Sequence, residues 1–90
     1  MTYTIEEFIK DCMKLKEEEL ISIAVDDNHI ITATKLTYIK GYDDEIQFEL
    51  CTGHMEDGCN VCEDLIDNTW ATQSSEADML GAIEYLKGCI

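Results

Sequence analysis

An α+β fold, with helices packed on a small three-stranded antiparallel sheet, is predicted by three features of the sequence. Apolar residues recur at helical spacing near both ends, at Ile5, Phe8, Ile9, Cys12 and Leu15 and again at Met79, Leu80, Ile83 and Leu86. Between them lie alternating segments, Ile21/Ile23/Val25 and Ile46/Phe48/Leu50, and a run rich in β-branched residues from Ile30 to Ile39. Short turn sequences, Asp26-Asp27-Asn28 and Gly41-Tyr42-Asp43-Asp44, separate these segments and favour a meander over parallel crossovers.

The first helix is expected from Thr4 to Glu19. Thr4 and Glu7 have the spacing of a capping box, and Tyr3 and Phe8 that of a hydrophobic staple. Glu6, Lys10 and Lys14 fall on its solvent side. Glu17, Glu18 and Glu19 crowd the last turn, where carboxylates oppose the helix dipole. That local conflict marks them as candidates for binding a partner, beside the plainer reading of a solvated charge run.

After the third strand, Asn60 to about Asn68 reads as a short helix with Val61, Leu65 and Ile66 inward and Asn60 and Glu63 at capping spacing. Trp70 is assigned to the core. The last helix starts at Ser74 or Ser75, with Asp78 three residues after Ser75, and Gly88 suits its carboxyl cap. The order is therefore α-β-β-β-α-α. Repeats, low-complexity stretches and linkers are lacking, so residues 1–90 are read as a single domain.

A chain of 90 residues that is 46% hydrophobic supports one modest core, and at this size a metal staple adds useful stability. No run of 18 apolar residues occurs, and Met1 to Glu7 has neither the basic nor the apolar region of a signal peptide. A cytoplasmic, reducing compartment follows as the expectation, where cysteines serve more often as metal ligands than as disulfide halves.

Charge is the second guide. Twenty acidic residues stand against six lysines, with no arginine, for a formal charge of −14. The imbalance runs along the chain: residues 1–45 carry 11 acids and 5 lysines, and residues 46–90 carry 9 acids and 1 lysine. Such a surface repels phosphate backbones and anionic membranes and attracts basic protein surfaces. Direct binding of nucleic acid or membrane is thus disfavoured. Solubility alone also accounts for an acidic surface of this kind.

The segment Cys51-Thr52-Gly53-His54-Met55-Glu56-Asp57-Gly58-Cys59-Asn60-Val61-Cys62 carries the metal chemistry. A Cys-x2-His pair and a Cys-x2-Cys pair are separated by four residues. A two-residue gap lets a chain curl so that both side chains meet one ion, and two such curls fill the four tetrahedral positions of zinc, at about 2.0–2.3 Å. One structural zinc ion held by Cys51, His54, Cys59 and Cys62 is therefore expected, with Gly53 and Gly58 easing the turns. Free buried cysteines, or a local disulfide in an oxidised sample, are the alternatives. The remaining thiols read differently: Cys12 belongs to a helix core face, and Cys89 is left unassigned. His29 is expected to be solvated in a turn.

His54-x-Glu56 followed by Cys59-x2-Cys62 contains the letters of the zinc deaminase signature. In that chemistry three ligands leave a position open for water, whereas here Cys51 is placed to close the fourth. With no nucleophile–base pair and no glycine-rich phosphate loop either, the chain is read as non-enzymatic.

In length, acidity, lack of arginine and of proline-rich linkers, and the Cys51/His54/Cys59/Cys62 cluster, the chain resembles the small acidic phage-encoded anti-CRISPR proteins that inhibit the type II effector nuclease. The resemblance implies a non-enzymatic, DNA-mimicking inhibitor in the host cytoplasm, binding the recognition lobe or DNA channel of that nuclease and blocking target DNA loading; a monomer is expected rather than a dimer. Uracil-glycosylase inhibitors are a related acidic-mimic alternative. Candidate contacts are Glu17, Glu18, Glu19, Asp43, Asp44, Glu45, Glu56 and Asp57. A zinc-stapled structural or adaptor module of an intracellular complex is the competing expectation.

Overall fold

The computed structural model describes residues 3–36 and 45–90. The elements run α1 (Ile5–Met13), β1 (Leu20–Asp26), β2 (His29–Leu36), β3 (Glu45–Glu56), β4 (Cys59–Thr72) and α2 (Glu76–Lys87). The strands form one antiparallel sheet in the order β1-β2-β3-β4, with the two helices packed on one face. The α+β class holds. Among the described residues the sheet has four strands rather than three, and one helix follows it rather than two.

α1 begins as its sequence dictates. The Thr4 hydroxyl accepts from Glu7 N, and the Glu7 carboxylate accepts from Thr4 N in return. Tyr3 meets Phe8 edge-on at 6.1 Å, and the Tyr3 hydroxyl donates to Asp11. The helix stops at Met13, well short of the expected Glu19, with Lys10 in its last turn and Lys14 as its cap. Residues 16–19 form a separate turn in which Glu18 takes a positive φ of 67° and Glu19 accepts from Lys16 N. The acidic run therefore lies beyond the helix end, and the conflict with the dipole disappears.

The core is built from one face of each element. Phe8, Cys12, Ile31, Ile46, Phe48, Leu50, Met79, Ile83 and Leu86 are fully buried, and Phe8 and Phe48 meet at 6.3 Å. Each large apolar side chain buried this way stabilises by about 1.5–3 kcal/mol. Burial pushes the Cys12 thiol up to about 12, which suits the core role expected of it. Gln73, itself buried, donates to the carbonyls of Cys12 at 2.9 Å and Leu15 at 2.8 Å, closing the carboxyl end of α1 from the turn between β4 and α2. Ser75 caps α2 by accepting from Asp78 N, and Gly88 is its carboxyl cap, in right-handed rather than left-handed conformation.

The expected helix over Asn60–Asn68 is instead part of β4. Asp57 and Gly58 take φ of 52° and 79°, the two left-handed positions of a primed hairpin turn, and Glu56 pairs with Cys59 across them. That turn hands the following chain to β3 as a template. Its β-branched and aromatic residues, Val61, Ile66, Thr69 and Trp70, suit a strand. Trp70, Leu65 and Ile66, expected in the core, are exposed. The Gly41–Asp44 turn and residues 37–39 of the second expected strand lie outside the described residues.

Candidate functional site

Strand geometry decides what becomes of the four expected zinc ligands. Side chains alternate between faces along a strand, so residues three apart fall on opposite sides. Cys51 and His54 both lie on β3, and Cys59 and Cys62 both lie on β4. The ladder pairs Gly53 with Cys62, His54 with Val61 and Glu56 with Cys59. Cys51 and Cys62 therefore share one side of the hairpin, and His54 and Cys59 the other. Among the described residues no group of three or more His, Cys, Asp or Glu side chains is arranged to hold a metal ion. The donors do not fit a single tetrahedral ion unless the hairpin gives up this register. All five cysteines are free thiols.

On its own side, His54 is held by carboxylates. Its Nε2 lies 3.2 Å from Glu56 and its Nδ1 3.2 Å from Glu63, and these two acids, Glu56 first, raise its pKa above the ordinary histidine value. On the other side, Cys51 is buried, and its thiol is pushed up to about 11, first by burial and then by the neighbouring Cys62 thiol. His29, expected to be free in a turn, opens β2 with its Nδ1 2.8 Å from Asp26.

The same register curls the sheet. β4 slips against β3 between Leu50 and Cys51 and again between Cys51 and Gly53, accommodating extra residues on β4. Thr52 fills the second irregularity, its hydroxyl accepting from Asp64 N at 3.1 Å. The hairpin tip then folds over the face opposite the helices, where the Asn60 carboxamide donates to Ser22 on β1 at 2.8 Å. Gly53 makes this possible. A Cβ there would stand 2.2 Å from Val61 O and 2.9 Å from Ile30 Cδ1. Under the tip, Ile30, Cys51 and Thr32 are buried.

No family model, curated protein or solved structure matches this chain.

The acidic candidates sort to the two ends of the sheet. Glu17, Glu18 and Glu19 lead directly into Leu20, which pairs with Thr34, and Thr34 pairs with Gln47, two residues from Glu45. Glu17–Glu19 and Glu45 thus share one end. Glu56 and Asp57 form the β3–β4 tip at the other, beyond the β1–β2 turn that carries Asp26 and Asp27. Asp43 and Asp44 lie outside the described residues. None of the described carboxylates is buried. The exposed β4 has one signal in the sequence. The Asp57-Gly58 pair marks the hairpin turn that pairs this segment with β3.

No helix among the described residues is long and apolar enough to cross a membrane.

Proposed function

We propose that this protein is a non-enzymatic acidic inhibitor that occupies a basic, nucleic-acid-binding protein surface and keeps the nucleic acid out. The observation that carries this reading is that every described carboxylate reaches solvent in a chain of net charge −14. A protein of such charge is steered onto a cationic groove and held off a phosphate backbone. Carboxylates at both ends of a rigid sheet suit a groove that spans more than one patch of lysine and arginine. The resemblance to anti-CRISPR proteins makes the DNA channel of a type II CRISPR effector nuclease the first target to try.

The test is binding of the purified protein to that nuclease, followed by target DNA loading. Competitive loss of DNA binding is expected, weakening steeply as salt shortens the screening length from about 10 Å at 0.1 M to about 3 Å at 1 M. Association that ignores salt, or that leaves DNA loading intact, counts against the inhibitor.

A structural or adaptor module is the second reading, favoured by the apolar side chains of Leu65 and Ile66 exposed on the edge strand β4. In its zinc-stapled form it requires Cys51, His54, Cys59 and Cys62 to be regathered on one side of the chain. Salt-insensitive capture of a partner is its expected signature.

A further inference from the structure

We propose that the face of the sheet opposite the helices is the surface on which a basic partner docks, with Glu49 and Trp70 together receiving an arginine or lysine side chain of an extended cationic segment. This rests on the acidic-binder reading and supplies its site.

The ladder lays the face out strand by strand. Leu20, Thr34, Gln47 and Trp70 stand in register across β1 to β4, followed by Ser22, Thr32, Glu49 and Asn68, and then Ala24, Ile30, Cys51 and Leu65. Their neighbours along the strands, among them Ile23, Ile31, Phe48 and Leu50, belong to the helix-side core, so alternation assigns these residues to the opposite face. The curled tip covers one end of that face. At the other end Leu20 is 61% and Trp70 49% exposed, and no described residue covers them.

Between the covered and open ends lies Glu49, half-buried and flanked by Thr32 and Asn68. No described residue in these registers carries a positive charge, and among the described residues no hydrogen-bond donor reaches the Glu49 carboxylate. Trp70 is its diagonal neighbour on β4, about 7–8 Å away across the strands and within reach of a long side chain. A guanidinium lodged there meets a carboxylate with its edge and an indole with its face, two interactions that reinforce each other. Leu20 and Leu65 bound the site with apolar surface suited to the aliphatic stems of lysine and arginine.

Charge selects the occupant. A second copy of this chain brings another −14, and nucleic acid brings phosphates, so both are repelled. A purely apolar ligand leaves Glu49 desolvated without a partner, at a cost. An extended basic peptide satisfies the face on every count.

Trp70 is the only tryptophan, so its emission reports on the site directly. Titration of the intact protein with an oligo-arginine peptide at low ionic strength is expected to give a saturable change in that emission. Glu49→Gln is expected to weaken the peptide about fivefold. Glu84→Gln, on the helix side, is expected to leave affinity unchanged. Should Glu49→Gln fail to fold, Trp70→Phe followed by calorimetry makes the same comparison. Calorimetric binding without a change in Trp70 emission, or equal affinities for the Glu49 and Glu84 variants, overturns this site and leaves the acidic-binder reading standing. Absence of binding by both measurements overturns the two together.

Discussion

The Asn60 carboxamide nitrogen donates to the Ser22 hydroxyl at 2.8 Å, tying the tip of the last hairpin to the first strand across 38 residues of sequence. The bond holds the sheet's curl, and its environment is asymmetric, because Asn60 Oδ1 is itself buried without a hydrogen-bond partner. Removing Asn60 deletes both the bond and the orphaned oxygen, whereas removing Ser22 leaves the whole carboxamide unsatisfied. Asn60→Ala is therefore expected to cost about 1 kcal/mol and Ser22→Ala about 1–3 kcal/mol. Urea unfolding of the two variants checks the order, and a Ser22→Ala variant as stable as the parent shows that the contact contributes nothing.

Gly53 is expected to be the least replaceable residue of the hairpin. Its missing side chain is the space occupied by Val61 O, and backbone on the facing strand cannot retreat like a flexible side chain. Gly53→Ala should cost about 2–3 kcal/mol or more by overpacking. Gly58→Ala, where no atom lies near but φ is 79°, should cost about 1 kcal/mol from backbone strain alone. Thermal melts of the pair separate a steric requirement from a conformational one.

Metal binding tests the β3–β4 register itself. With Cys51 and Cys62 on one side and His54 and Cys59 on the other, the melting temperature of reduced protein is expected to be the same with and without a chelator. Elemental analysis that finds one zinc per chain, together with a chelator-sensitive melt, shows instead that residues 51–62 refold around the ion and abandon this pairing.

The β1–β2 turn should respond to acid. Asp26 accepts from Asn28 N at 2.7 Å and faces His29 at 2.8 Å, and these contacts, the Asn28 amide first, hold its carboxyl below the usual aspartate value. A lowered folded-state pKa gives stability that is present above the unfolded value, about 3.9, and is lost as pH falls through the folded one. Proton-detected titration of Asp26 should place its midpoint below that of a free aspartate. Asp26→Asn should remove its share of the acid dependence of the melt.

Local signals were the legible part of the fold. The Thr4–Glu7 box, the Tyr3–Phe8 pair and the Ser75–Asp78 cap are interactions among residues a few positions apart, and each forms as its spacing dictates. The β4 segment was misread because Val61, Leu65 and Ile66 also fit a helical stripe, and only pairing with β3 settles the period. The ligand spacing shares that cause: two-residue gaps that converge in a loop diverge in a strand. Trp70 and Leu65 resemble core residues by composition, but β4 lies at the sheet edge, where the face away from the helices stays open. Glu49 offered no signal of its own, since its importance comes from its cross-strand neighbours.

Gln73 has a consequence for how the chain reaches this state. Every strand pairs with the next in sequence, so the sheet assembles by closing adjacent loops, each at modest entropic cost. α1 is different: the Gln73 bonds to Cys12 and Leu15 span 61 and 58 residues and form only once β4 is in place. The amino-terminal helix is thus expected to dock late, fastened by a side chain that follows the last strand. Substitutions at Gln73 should accordingly speed unfolding more than they slow folding.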